Sequence, residues 1–549
     1  MPFALIAWRL ESGFSKHLRE DSPMTDRPTT PGPATFLTCA LLAAATGLAP
    51  ACARADNVRL DGSVATGEGR PGCQQLDAKS CVAQSIEAMG GRDRLEAIRN
   101  VRYQTIGHTL VTEQSYRQQP FFTAYQHDTL TIDFAAGRTL DVAHLTWPES
   151  DPHQFEIDQT LVATPTACVY RAAAGNTPCA LSDLDQADDA LALGPERLLL
   201  TAAQAVDLHY ESPRWLRDTR HAAVTFTWHG VATTVLLNAT NHLPDAMART
   251  RTFQDFWYAW GDVRQLVYFD NWHLVGGVVM PTNRVEARNG IVWQSTQAVD
   301  IAFNVDIDGK QFAMDPAVAA KAAQSPGWDR TFKDKAPVTL APGILLYQAS
   351  WNTTLIRQDD GVLILEAPIS GTYARGVIAK ARSEFPGLPI KGVLSTSDSW
   401  PHVAGVRQAV AEGLPVWALD LNLRELDDMA RAPHALHPDD LQKMPAAPRW
   451  NVVAGRLEVG RGDNRAELYP LRGASTERQY MVYFPKYRLL YASDTLALNA
   501  DQSLYDPQLM HEVMQAVERN SLAVDTVFAM HEGPRPWKDV VKLVQASQG

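Results

Sequence analysis

From about residue 100 to residue 308 the chain returns again and again to one pattern. Short runs alternate apolar and polar residues, favour β-branched and aromatic side chains, and stop at polar turns. HAAVTFTWHG, ATTVLLNATN, QLVYFDNWHLVGGVVMPTNRVEA and GIVWQSTQAVDIAFN are four of them. A period of two sends every second side chain to the same face, so each run reads as a strand with one buried side. Their recurrence predicts a large antiparallel sheet. The helical period is scarcer. SCVAQSIEAMGGRDRLEAIRNVRYQTIG (Ser80 to Gly107) reads as an amphipathic helix, a break at Gly90-Gly91, a second short helix and a strand. PERLLLTAAQAVD and RWLRDTR predict one or two helices packed on the sheet. The aromatic run FQDFWYAWGD (Phe253 to Asp262) predicts a strand pair packed on its own helix; a sugar or lipid contact surface is the other reading.

This β-rich stretch, taken as residues 56–310, resembles the half-barrel of bacterial lipoprotein-carrier-type proteins. That resemblance implies a groove for a small-molecule or lipid ligand. Residues 311–340 lose the strand rhythm and gain Ala, Pro and Lys, as a linker does. From 341 to 549 the style changes again. GILLYQASWNTTLIRQDDGVLILEAP predicts three strands, with a turn at Asp360-Gly361. SGTYARGVIAKARSEFPGLP predicts a helix, IKGVLST a buried strand, VAGVRQAVAEG a helix and PVWALD another strand. Alternating strands and helices predict an α/β layer architecture with helices outside the sheets.

NTTLIRQDDGVLILEAP, FPGLPIKGVLST, HVAG, YFPKYRLLYASDTL and VFAMHEGP carry a resemblance to the metallo-β-lactamase fold superfamily. It implies an αββα sandwich for the C-terminal part, preceded by a mainly antiparallel β domain with a few helices. That family holds its metals through a T-H-x-H-x-D-H loop, a later His, a bridging Asp and a closing His. Here Thr396 matches the Thr, while Ser397 and Ser399 stand at the first two histidines and Pro401 at the aspartate. His402 matches the loop's last His, Ser475 stands at the later His, Asp494 matches the bridging carboxylate and His531 the closing His. Glu366 replaces an Asp at the end of the third strand.

Hydroxyls are poor zinc ligands beside imidazole, so one of the two family metal sites is lost. His402, Asp494 and His531 remain as a ligand set for one divalent ion, zinc first, or for none. His402 and Asp494 are the catalytic candidates. With Pro401 unable to orient a water, Asp398 and Glu532 are the nearby carboxylates that could substitute. Ser397 or Ser399, with His402 and Asp494, could form a nucleophile triad, though no G-x-S-x-G or S-x-x-K motif supports it. His434 and His437 form an HxxH in what reads as a solvated loop. GEGRPG (Gly67 to Gly72) matches a dinucleotide fingerprint without a strand before it or a helix after it, and reads as a loop.

A net charge of -12 without any basic run excludes a nucleic-acid partner. The segment from Met24 to about Ala55 has the layout of an export signal, with an apolar stretch from Phe36 to Leu48 and small residues before the cut. The expectation is a periplasmic or secreted protein without a transmembrane span in the mature chain. A lipid anchor at Cys52 is the lesser alternative. In an oxidising compartment, Cys73 with Cys81 and Cys168 with Cys179 are expected to form disulfides. Two functions follow from these readings. One is a hydrolase-like member of the superfamily using at most one metal on an ester, amide or phosphoester. The other is a pseudoenzyme that binds a ligand or lipid.

Overall fold

The computed structural model describes residues 70–112, 121–146, 156–172, 175–322, 324 and 327–547. The export signal, Cys52 and the start of GEGRPG lie outside them.

Thirteen strands form one sheet in which every pairing is antiparallel. It is built from two meanders. Six strands run from Asn100–Val111 to Gly175–Pro178, and seven from His209–Leu216 to Ile291–Phe303. The meanders join where the first strand of the sheet pairs with the last, Val101 opposite Phe303. Side chains two apart, such as Val224 with Phe226 and Val267 with Phe269, face one core with Val82, Ile86 and Leu199. Those three belong to the helices Ala78–Ala88 and Leu198–Gln204, so the helices cover that face. Strands six places apart in the sheet, those holding Asp141 and Arg249, line one cavity, which makes this face concave. Cys73–Cys81 and Cys168–Cys179 are at disulfide distance, with Cα separations of 5.6 and 5.7 Å.

Three local expectations change. RWLRDTR is not helical: it closes the hairpin between His209–Leu216 and Thr219–Trp228. Arg217 and Asp218 take φ of 48° and 60°, the left-handed pair a two-residue hairpin turn demands. FQDFWYAWGD forms one 3-10 turn, Phe256–Trp260, started by the Asp255 carboxylate, which accepts a hydrogen bond from Trp257 N. The turn predicted at Asp360-Gly361 lies one residue earlier, since Gln358 faces Gly361.

The later strands make two further sheets. The seven-stranded one runs in chain order from Val338–Ala341 to Trp450–Val453, antiparallel at first and parallel over its last four strands. The six-stranded one runs from Leu457–Val459 to Arg535–Pro536. Ile344, Leu363, Leu365 and Leu394 of the first meet Leu468, Val482, Leu489 and Phe528 of the second in a shared core. The helix Gly371–Glu384 packs on the outside of the first sheet, and Pro507–Arg519 and Trp537–Ser547 on the outside of the second. Four layers result: helix, sheet, sheet, helix. No helix among the described residues is long and apolar enough to cross a membrane.

Candidate metal site

Three strand ends converge between the two later sheets. The buried strand Ile390–Ser395 runs into Thr396 and a short loop, and Ser399 then starts the helix Trp400–Val403 that carries His402. In the facing sheet, Leu489–Tyr491 and Thr526–Phe528 lie side by side and parallel. Asp494 follows the first and His531 the second, so both sit beyond carboxyl ends of neighbouring strands, where open α/β sheets place ligands. The sheets are clasped beside them. Thr396 Oγ1 and Ser493 Oγ are 2.7 Å apart, and Tyr480 N donates to Thr396 O at 3.0 Å. Backbone strain gathers here too. Glu366, Ile369 and Ser493 all take positive φ, at 68°, 71° and 57°.

His402, Asp494 and His531 bring their ligand atoms within 4.8 Å of one another. Asp494 Oδ2 lies 3.4 Å from His402 Nε2, and Oδ1 lies 3.0 Å from His531 Nε2. The rings stand 5.4 Å apart at 65°. His531 Nδ1 donates to the Ser350 carbonyl at 2.7 Å, which aims Nε2 at Asp494. Such an outer hydrogen bond is what orients a metal-ligating imidazole. Burial brings His402 down to about 4, against the pull of Asp494 and helped by His531, so its imidazole is neutral with a lone pair to offer. Burial works to raise Asp494, but His402 and His531 outweigh it and hold the carboxylate ionised. Burial works to lower His531, but the hydrogen bond that its ring makes to Asp494, the charge of that carboxylate and the Ser350 carbonyl together outweigh it and raise it. Two imidazoles and an anionic carboxylate, converging from three elements, fit one divalent ion.

The remaining positions are committed elsewhere. Ser397 Oγ accepts from Ser399 N at 3.2 Å. Ser475 N donates to both Glu512 oxygens, at 3.0 and 3.2 Å. Pro401 is buried, and its carbonyl accepts from Ile369 N at 2.6 Å. Asp398 is ion-paired with the buried Arg478, which also pairs with Glu425. Glu532 pairs with Arg535 at 3.0 Å. His434 is half-buried against Gly261, and His437 is exposed.

Sequence reasoning singled out Glu366 and the aromatic run at 253–262, but not what either one touches. Glu366 accepts from Thr396 N at 3.1 Å and from Tyr491 Oη at 3.3 Å, and burial pushes it up to about 8. Arg478, in STERQY, gave no signal. The aromatic run of the first sheet docks here. Trp257 and Trp260 pack edge-on against Trp400 at 4.8 and 5.5 Å, and Tyr258 Oη donates to Ile369 O. Asp262 accepts from Ala435 N at 2.6 Å and Leu436 N at 3.1 Å, which pins the HxxH loop. A cluster of Trp residues in one run was the available clue.

No protein-family model and no curated relative matches the chain. Similar solved structures include Pisa1, a stereoselective inverting sec-alkylsulfatase from Pseudomonas sp., at 16% identity and TM-score 0.29, covering 39% of this chain and 40% of that one. The chain thus spans about 40% of the length of that sulfatase. DIM-1 metallo-beta-lactamase is similar at 16% identity and TM-score 0.30, covering 40% of this chain and 97% of that chain. A metallo-beta-lactamase from Erythrobacter litoralis is similar at 14% identity and TM-score 0.29, covering 39% and 95%.

Proposed function

We propose that the chain is an exported hydrolase of the metallo-β-lactamase type, working with a single metal on an ester, amide or phosphoester. In this reading residues 341–549 form the catalytic unit, 311–340 the connection and 56–310 a ligand-binding β unit. The observation that carries it is the convergence of His402, Asp494 and His531 within 4.8 Å, with the second imidazole braced by a carbonyl. His402 and His531 would hold the ion through Nε2, and Asp494 through its carboxylate. A divalent ion bound there polarises a scissile carbonyl or phosphoryl oxygen and acidifies a water. The chain supplies the rest. Ser350 fixes the tautomer of His531, Trp351 packs 5.9 Å from its ring, and Trp400 walls the site toward the first sheet. Asp494 keeps a quarter of its side chain accessible, so it is the acceptor in reach of an entering water.

A second reading draws on the serines. Ser397 and Ser475 are engaged within the protein, and Asp398 and Glu532 are each tied to an arginine. A pseudoenzyme that binds a ligand would keep this shape without turnover. Hydrolysis of aryl ester, anilide and aryl phosphodiester substrates by the zinc-reconstituted protein separates the two. The hydrolase reading expects turnover of one class that falls at least about a hundredfold in Asp494→Asn and His402→Ala. Equal rates in parent and both variants would remove it.

A further inference from the structure

The concave face of the large sheet encloses a cavity of about 230 Å³ beneath the helix Leu181–Leu193. Part of its wall is apolar, with Leu130, Met247, Val267 and Phe269. The rest is charged, and the charges do not balance. Arg249 donates to Asp189 at 2.9 Å, and Arg251 binds Asp185 at 2.8 Å and Asp189 at 3.2 Å. Arg288 binds Asp255 at 2.6 Å and Glu286 at 2.8 Å, and Arg284 binds Glu286 at 2.9 Å. Every guanidinium lining the cavity is therefore matched. Three lining carboxylates are in no ion pair among the described residues: Asp128, Asp141 and Glu196.

Two of these three carry an acceptor with no partner among the described residues. Asp141 is 7% exposed, and its Oδ1 receives no hydrogen bond among the described residues. Glu196 is 1% exposed and accepts from Tyr103 Oη at 2.8 Å, while its Oε1 has no hydrogen-bond partner among the described residues. Strand register puts Asp128 opposite Ala143 and Leu130 opposite Asp141, so the two aspartates are diagonal neighbours on the cavity face. Asp128 has only neutral partners, Gln126 and Thr105. Burial holds Asp128 up at about 6 and Asp141 well above the usual range, and the neighbouring Asp128 adds to the rise of Asp141. A buried acceptor without a donor is costly. A ligand that brings a cation and hydrogen-bond donors removes that cost; a carboxylate or phosphate headgroup meets no free cation.

We propose that this cavity binds a small amphipathic amine, its ammonium on Asp141 and Asp128 and its apolar body against Leu130, Met247 and Phe269. The site is separate from the histidine pair and does not depend on metal there. Calorimetric titration of the full chain with octylamine, octanol and octanoate tests it. Octylamine should bind at one site, at least about tenfold tighter than octanol or octanoate. Asp141→Asn should weaken octylamine by about tenfold or more without lowering the melting temperature, because it removes a buried carboxyl that lacks a partner. No octylamine binding at millimolar concentration would overturn the proposal. So would octanol or octanoate within tenfold of octylamine, or an Asp141→Asn variant with unchanged affinity. Should that variant not fold, Asp128→Asn and the comparison of the three ligands on the parent decide.

Discussion

Glu366 shows how much one buried side chain can set. It ends a fully buried strand in a left-handed conformation, and its Oε1 gathers donors from Thr396 and Tyr491. Burial is the main reason its carboxyl is pushed up to about 8, and Asp494 adds to it against those hydrogen bonds. The folded value lies above the unfolded one, so the folded state holds the proton more tightly between the two. Its contribution to stability is then full below the unfolded value of about 4.3 and is lost as pH rises through about 8. Glu366→Gln cannot ionise. The unfolding free energy of the variant relative to the parent should rise between about pH 4 and about pH 8 and level off above that, with a gain on the order of a few kcal/mol at the alkaline end. A difference that stays flat with pH would contradict the assignment.

Among the elements, the loop Thr396–Ser399, the helix Leu423–Arg431 and the turn before Tyr480–Phe484 are locked by one guanidinium. Arg478, 2% exposed, holds Asp398 from the loop and Glu425 from the helix, and Trp400 Nε1 donates to Glu425 at 2.6 Å. Arg478→Met leaves two carboxylates without their cation, which should cost about 3–5 kcal/mol in urea unfolding. Adding Asp398→Asn and Glu425→Gln should recover much of it; a fully additive loss would speak against a shared network. This clamp also marks the limit of the sequence. Period-two runs such as Val263–Val275 announce strands because neighbouring residues carry the signal. RWLRDTR misleads because its turn depends on two left-handed residues that no local preference demands. Helix Leu181–Leu193 was missed: four aspartates among its residues obscure the apolar stripe, and two of them, Asp185 and Asp189, find their arginines more than fifty residues away. The strand ends bearing His402, Asp494 and His531 could be placed by motif order. The partners of Asp398 and Glu532 could not, because those contacts are long-range.

At the scale of the molecule, the first sheet and the four-layer part share one core. Phe256, Trp257 and Trp293 pack in the same cluster as Trp351, Tyr373 and Trp400. Heating should therefore give one calorimetric transition. Trp400→Ala removes the ring that meets Trp257 and Trp260, should cost about 3–5 kcal/mol, and should split the transition in two. Two separated transitions in the parent would show that the halves fold independently. The functional account rests on a narrower point, that two imidazoles and a carboxylate hold an ion where the other ligand positions are hydroxyls and a proline. Metal content of the purified protein after incubation with zinc and desalting tests this most directly, with His531→Ala and Asp494→Asn beside it. The account predicts about one equivalent in the parent and close to none in either variant. A parent that retains no zinc, or variants that retain as much as the parent, would contradict it.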